Sequence, residues 1–114
     1  MNSLGIVGES AAVAFLKRTG YSIVTRNFRC RLGEIDIIAK DASFLLFVEV
    51  KARKSSSALT GVESIDRRKI SRITAAAGIY LSKRETTLQP RFDVILVELS
   101  EKGVRVTEHI ENAF

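Results

Sequence analysis

Apolar residues recur along the chain with two different periods, and the switches between those periods predict its elements. Near the N-terminus, Val7, Ala11 and Phe15 follow one another at the spacing of a helix. Gly20 comes directly after this segment and is a typical C-terminal stop. We therefore predict a first helix over residues 4–19.

Three strands are predicted next, because short runs of apolar and β-branched residues follow one another between polar turns. They cover residues 21–28, 33–39 and 44–51. The turn between the second and third runs is short and polar, so these two strands should form an antiparallel hairpin.

A second helix is predicted over residues 64–83, where the apolar stripe comprises Ile70, Ile73, Ala77 and Leu81. A polar stretch from residue 54 to 61 precedes it and should be a mobile loop. Two further strands follow, over residues 91–97 and 104–110. The order α-β-β-β-α-β-β predicts an α/β fold in which helices pack on a mixed sheet. A length of 114 residues fits a single domain, 1–114.

Composition excludes several classes of protein. An apolar content of 46% is too high for intrinsic disorder. No apolar run approaches the roughly 20 residues that a membrane span requires, and the N-terminus lacks the pattern of a secretory signal. A single cysteine, Cys30, cannot form an intramolecular disulfide. We therefore expect a soluble, cytoplasmic protein that has no membrane partner.

Positive charge is concentrated in one segment of the chain. Residues 51–72 carry seven Lys or Arg against two Asp or Glu, which accounts for the whole net charge of +5. A localised basic patch on an otherwise balanced surface indicates a polyanionic partner. On charge alone, a solvated helix face explains the same segment equally well.

Two acidic residues interrupt strands that are otherwise apolar. Glu49 lies near the end of the third strand, and Asp36 lies within the second. A buried carboxylate is unfavourable unless a cation compensates it. Lys51 should project from the same face as Glu49, roughly 6.5–7 Å along the strand. A hairpin with an even-length turn would place Asp36 on that face too.

Converging carboxylates are the hard oxygen ligands that Mg²⁺ prefers, with water and phosphate oxygens completing its coordination. A neighbouring lysine can orient an attacking water or stabilise charge that develops on a phosphate. The spacing of Asp36, Glu49 and Lys51 therefore describes a metal-dependent phosphodiesterase centre. A buried ion pair without chemical function explains the same residues and stays open at this point.

The segments Gly33–Ala39 and Phe47–Arg53 resemble the signature of the YraN-like family of uncharacterised bacterial proteins. The resemblance extends over nearly the whole chain, and its other parts are Gly8-Glu9, Lys69, Arg91–Val94 and Asn112–Phe114. That family is similar to archaeal Holliday junction resolvases, within the PD-(D/E)XK nuclease superfamily. Such a relationship implies a restriction-endonuclease-like core.

The same resemblance implies roles for individual positions. Asp36 and Glu49 match the metal-binding acids of the superfamily, and Lys51 matches its catalytic lysine. Glu9 matches a helix-borne glutamate of resolvase-like members, where it would be a further metal or water ligand. Lys69 matches a helix lysine, for which a phosphate contact is implied.

From these residues we predict a Mg²⁺-dependent endonuclease that hydrolyses DNA phosphodiester bonds, with branched or otherwise structured DNA as a candidate substrate. Mn²⁺ should substitute for Mg²⁺. The flanking phosphates would be held by the basic side chains Arg53, Lys54, Arg68, Lys69 and Arg72. A resolvase-like role would imply a two-fold homodimer that cuts two strands symmetrically.

Two alternatives from other classes remain open on the sequence. A non-catalytic nucleic-acid-binding module would keep the fold and the basic patch without binding metal. A protein-interaction domain would instead use an exposed sheet edge and bind no DNA. Outside the proposed centre, we expect Asp93 to be a structural partner of an arginine. His109 and Cys30 lack the second partner that a catalytic triad or a zinc site would need.

Overall fold

A computed structural model describes residues 3–55 and 66–114. Within these ranges the elements follow the predicted order, which confirms the α/β class. They are α1 (Ser3–Arg18), β1 (Ser22–Cys30), β2 (Gly33–Lys40), β3 (Phe44–Lys54), α2 (Arg67–Ser82), β4 (Gln89–Ser100) and β5 (Gly103–Ile110).

The predicted boundaries are confirmed to within a few residues, and the strands extend furthest beyond them. β3 continues three residues past its predicted end, to Lys54. The predicted helix start at residue 64 and most of the predicted polar loop fall in residues 56–65, outside the described residues. α2 itself is capped by Asp66, whose side chain accepts the backbone N–H of Lys69 at 2.9 Å.

The five strands form one mixed sheet in the order β1-β2-β3-β4-β5. β2 and β3 form the predicted antiparallel hairpin, whereas β3 and β4 run parallel and are connected through α2. Strands β1 and β5 therefore lie at the two edges, and β3 lies at the centre of the sheet.

One helix packs on each face of the sheet. On the first face, Ala12 and Leu16 of α1 are fully buried against sheet residues that include Ile37 and Val48. On the second, Ile73 and Tyr80 of α2 pack against a cluster that includes Phe47. No helix within the described residues is long and apolar enough to cross a membrane.

The alternation of side chains along β2 breaks at Asp36. Ile35 packs in the cluster beneath α2, while Ile37 packs in the cluster beneath α1. Residues two apart on a regular strand share a face, so the strand must turn over between these two isoleucines. Paired residues of β2 and β3 end at Ile37 and Val48, and Asp36 lies directly beyond this last pair.

Candidate functional site

The carboxyl groups of Asp36 and Glu49 meet where β2 and β3 cease to pair. Oδ2 of Asp36 accepts the backbone N–H of Val50 at 2.8 Å. The side chain of Asp36 also hydrogen-bonds to that of Glu49, which is only 4% exposed. We call these two residues the acidic pair. Regular alternation predicted that the two acids share a face, and the structure brings their carboxyl groups together directly beyond the last pair of β2 and β3.

The environment of the acidic pair favours a retained proton. Burial, followed by the hydrogen bond and the negative charge of Glu49, raises the pKa of Asp36 to about 7. The N–H of Val50 and the ammonium of Lys69 oppose the increase without cancelling it. The acidic pair therefore holds one proton readily near neutral pH in the absence of a bound cation.

Two lysines approach the acidic pair from different elements. Nζ of Lys69, on α2, lies 2.5 Å from Oε2 of Glu49. Lys51, on β3, lies within hydrogen-bonding range of Lys69. Burial and the positive charge of Lys69 lower the pKa of Lys51. Burial also opposes the charged form of Lys69, but the hydrogen bond and charge of Glu49 outweigh it and raise the pKa of that lysine.

The acidic pair has the donor chemistry of a magnesium site. Oε2 of Glu49 is buried and already has a cationic group, the ammonium of Lys69, beside it. Among residues 3–55 and 66–114, no three His, Cys, Asp or Glu side chains form a group that could hold a metal. Mg²⁺ is commonly bound through one or two carboxylates together with waters. The pair therefore fits Mg²⁺ or Mn²⁺ and does not fit a closed zinc site.

Glu9 lines a cavity together with Asp36 and Lys51, but its side chain is anchored to β1. Its Oε1 accepts hydrogen bonds from Arg26 Nε and Asn27 Nδ2, both at 3.0 Å. Asn27 adopts a left-handed backbone conformation with φ of 53°, which is tolerated best by asparagine, aspartate and glycine. Glu9 therefore belongs to the cavity wall and does not join the acidic pair in a three-ligand group.

A close helix–strand contact sets the position of Glu9. A Cβ atom built on the neighbouring Gly8 would lie 2.5 Å from Cβ of Ala52 on β3. Glycine at this position therefore lets α1 approach β3 more closely than any other residue would allow. This approach brings Glu9 to the cavity that also contains Asp36 and Lys51.

The cavity beside the acidic pair has a volume of about 260 Å³, and its wall includes Glu9, Glu34, Asp36 and Lys51. A second depression of about 270 Å³ adjoins it at Glu34 and is lined mainly by α2. The α2 residues in its wall include Arg68, Lys69 and Arg72.

The predicted nucleic-acid contacts separate into two groups. Arg68, Lys69 and Arg72 line the second depression together, next to the acidic pair. Arg53 and Lys54 lie further along β3, outside the walls of these two cavities. The structure thus gathers the predicted α2 contacts at the site and leaves the two β3 residues beside it.

Three residues of the site went unrecognised in the sequence analysis. Arg26 and Asn27 bind Glu9, and Arg29 forms an ion pair with Glu34 at 3.2 Å. The only sequence signal was the polar dipeptide at positions 26 and 27, which interrupts an otherwise apolar strand pattern.

Asp93 has the structural role that was predicted for it. The side chain is fully buried and pairs with Arg91, whose Nη2 lies 2.8 Å from Asp93 Oδ2. Nε2 of His109 lies 2.7 Å from the same oxygen, and the backbone N–H of Asn112 binds Oδ1 at 3.0 Å. Burial raises the pKa of Asp93, but the hydrogen bonds from His109 and Arg91 outweigh burial, and the pKa is lowered. This network joins the edge strand β5 to β4, and its residues lie outside the walls of the two site cavities.

Comparison with known proteins gives consistent matches over almost the whole sequence. Residues 8–97 match the uncharacterised protein family UPF0102. A UPF0102 protein of Geotalea uraniireducens is 42% identical over 113 residues, covering 98% of this chain and 89% of the relative. UPF0102 proteins of Pelotomaculum thermopropionicum and Clostridium botulinum are each 44% identical. These alignments cover 97% of this chain in both cases, and 94% and 93% of the two relatives respectively.

Proposed function

The chain belongs to the uncharacterised protein family UPF0102, and from the geometry of its acidic pair we propose that it is a magnesium-dependent nuclease acting on DNA. The observation that carries this proposal is the contact between two carboxyl groups at the end of a strand pair, with two lysines beside them. An ion pair alone would need only one acid and one base. Two carboxyl groups held together in a buried position can bind a divalent cation in place of the shared proton and of Lys69.

The residues around the cavity would have different roles in hydrolysis, either binding the metal or orienting the attacking water. Asp36 and Glu49 would hold Mg²⁺, which when bound supplies Lewis-acid activation of the phosphate and of the attacking water. Lys51 lines the same cavity as Asp36 and has a lowered pKa. It would orient the water and donate a hydrogen bond to the phosphate oxygen as negative charge develops.

Lys69 and Glu9 would support this arrangement from the two helices. Lys69 supplies positive charge beside Glu49 and faces the depression that Arg68 and Arg72 line. A phosphate next to the cleaved bond would therefore meet three cations on α2. Glu9, held by Arg26 and Asn27, would bind the water that fills the far side of the cavity.

The proposal is tested by metal-dependent cleavage. Wild-type protein should cleave DNA in Mg²⁺ or Mn²⁺ and not in EDTA, on a panel of linear, single-stranded, flapped and four-way substrates. Asp36→Ala should abolish cleavage while the protein remains folded by circular dichroism. Glu108→Ala removes an exposed carboxylate from β5 and is the matched control. Cleavage retained in Asp36→Ala, or lost equally in Glu108→Ala, would refute the assignment.

A non-catalytic DNA-binding module is the second candidate. It is favoured by the arginines of α2, which form no ion pair with a carboxylate in residues 3–55 and 66–114. Isothermal titration calorimetry with Mg²⁺ separates the two candidates. Heat of binding that disappears in Asp36→Ala and in Glu49→Ala supports the nuclease. Intact DNA affinity without any Mg²⁺ binding supports the module.

A further inference from the structure

We propose that the tip of the β1–β2 hairpin and the middle of α2 form a second binding site, which takes a backbone phosphate of DNA. The hairpin tip comprises residues 29–34, and its partner on α2 is Arg72. This inference rests on the proposed function for its ligand, because it assumes that DNA lies over the acidic pair. It adds Arg29 and Arg31, which nothing in the sequence pattern had marked, to the DNA contacts.

The tip and the helix enclose a depression of about 250 Å³. Three of the seven residues in its wall are arginines, Arg29 and Arg31 from the tip and Arg72 from the helix, and one is the acid Glu34. A depression that several guanidinium groups surround is complementary to a phosphate, since each guanidinium can donate two parallel hydrogen bonds to phosphate oxygens.

Close packing fixes the helix against the hairpin tip. A Cβ atom built on Gly33 would lie 2.7 Å from the carbonyl oxygen of Arg72 and 3.2 Å from its Cβ. Only glycine permits this approach, so the position of Arg72 relative to the tip is set by backbone contact. The backbone positions of the arginines on the two elements are therefore fixed relative to each other, and all three side chains start from one surface.

Only one of the three arginines forms an ion pair with an acid in the part of the chain that the structure describes. Arg29 is paired with Glu34 at 3.2 Å, and both side chains are more than half exposed. Within the described residues, no carboxylate forms an ion pair with Arg31 or Arg72. An exposed pair such as Arg29–Glu34 is worth little in free energy. Arg29 can therefore turn towards a phosphate when one binds.

The proposed phosphate site is continuous with the acidic pair. Glu34 forms part of the wall of this depression, of the α2 depression and of the cavity that contains Asp36. Lys51 lines that cavity, and Lys69 and Arg72 line the α2 depression. Arg72 and Arg31 line the proposed site, so DNA bound over the acidic pair can reach it. Negative charge along that DNA meets these cations, and Glu34, the acid common to the three walls, is paired with Arg29.

The test measures DNA binding in EDTA, where cleavage does not occur. Fluorescence anisotropy of a labelled DNA duplex is recorded over a range of salt concentrations for wild type, Arg31→Gln and Arg72→Gln. Both side chains are exposed, so the glutamine variants should unfold at the wild-type temperature. Arg18→Gln is the matched control, because Arg18 is exposed in the last turn of α1, at the opposite end of that helix from the cavity.

Each tip or helix variant should bind DNA several-fold more weakly than wild type. Each should also reduce the slope of log affinity against log salt concentration by about 1, the value for one lost phosphate contact. Arg18→Gln should match wild type in both quantities. Wild-type affinity and slope in both Arg31→Gln and Arg72→Gln would overturn the site, as would the failure of wild type to bind DNA.

The binding measurements test the phosphate site independently of the proposed nuclease activity. If wild type cleaves DNA in Mg²⁺ while Arg31→Gln and Arg72→Gln bind normally, the nuclease stands and the phosphate site does not. If binding depends on Arg31 and Arg72 but no substrate is cleaved, the phosphate site stands and the nuclease does not.

Discussion

Lys69 Nζ lies 2.5 Å from Glu49 Oε2, so a half-exposed lysine of α2 neutralises a carboxylate buried in β3. The exposed fractions of the two side chains are 45% and 4% respectively. The carboxylate cannot move to solvent, whereas the lysine can. A divalent cation that binds Glu49 therefore has to share the site with this ammonium group or displace it towards the α2 depression, where it would meet a phosphate.

Replacing Lys69 with methionine should make the free energy of unfolding depend more strongly on Mg²⁺. Lys69→Met keeps the helix propensity and removes the charge next to the acidic pair. The free energy of unfolding in EDTA should fall by about 1–3 kcal/mol, because a buried carboxylate loses its partner. Added Mg²⁺ should then stabilise the variant more than wild type, in urea titrations with and without the cation. Lys54→Met, an exposed lysine on the same sheet, is the control; equal Mg²⁺ stabilisation of wild type and Lys69→Met would contradict the expectation.

The acidic pair should make the metal-free protein less stable as pH rises. Burial, followed by the hydrogen bond and charge of Glu49, raises the pKa of Asp36 from 3.8 to about 7. The stability that comes from the retained proton is complete below pH 3.8 and is lost as pH rises through 7. Asp36→Asn has no such proton and can still accept the Val50 N–H. Relative to wild type, it should therefore gain stability between pH 5 and 8, by up to about 3 kcal/mol.

Urea denaturation in EDTA at these two pH values measures that difference directly. Other groups titrate equally in both proteins, so the difference between wild type and Asp36→Asn isolates the acidic pair. Parallel pH dependence of the two proteins would show that the proton on Asp36 is not retained on folding.

The contact of Gly8 with Ala52 should appear as strong coupling between the two positions. Glycine to alanine inside a helix normally stabilises by about 1 kcal/mol. Gly8→Ala should instead destabilise by about 1–3 kcal/mol, because the new Cβ would lie 2.5 Å from that of Ala52. Ala52→Gly removes the contacted atom, so the double variant should recover most of the loss. Additive effects in a double-mutant cycle, measured by urea unfolding, would argue against this contact.

The network around Asp93 should be essential for stability above acid pH. Asp93→Asn leaves the buried guanidinium of Arg91 with only the exposed Glu111 as a counter-charge, and we expect the free energy of unfolding to fall by about 3–5 kcal/mol. Glu111→Gln is the matched control: it removes an exposed partner of the same arginine, at 3.1 Å, and should change stability by less than about 1 kcal/mol.

Acid should remove the difference between wild type and Asp93→Asn. The lowered pKa of Asp93 means that its contribution is present above the ordinary aspartate pKa of 3.8. It is lost as pH falls through the lower pKa of the folded state. Thermal unfolding at a series of pH values should show the two proteins converging only in strong acid; a gap that is independent of pH would contradict this account.

The helices and strands, and the positions of Asp36 and Glu49 within strands, could be predicted because each is visible in the hydrophobic periodicity of the sequence. Two strands that are separated by a short polar turn usually form an antiparallel hairpin. An acid within such a strand is conspicuous, as Asp36 and Glu49 are. The pairing of Asp93 with an arginine was predicted on the same grounds, and the structure identifies that arginine as Arg91.

The remaining features depend on tertiary packing, which periodicity does not record. The turned-over backbone at Asp36 departs from the regular strand that alternation assumes. The contact of Lys69 with Glu49 depends on how α2 is rotated about its axis, and this is set by the packing of Ile73 and Tyr80 on the sheet. The anchoring of Glu9 requires the left-handed conformation of Asn27, for which the sequence offered no unambiguous signal.

Strand β1 lies at an open edge of the sheet, and its side chains determine what that edge can do. Unpaired edge strands recruit strands from other molecules and promote aggregation unless charges repel the incoming chain. Val24 on this strand is 39% exposed, and the charged residues Arg26 and Arg29 follow it along the chain. The arginines near the site therefore also protect a vulnerable edge. Substitutions that remove Arg26 or Arg29 should therefore increase self-association at high protein concentration.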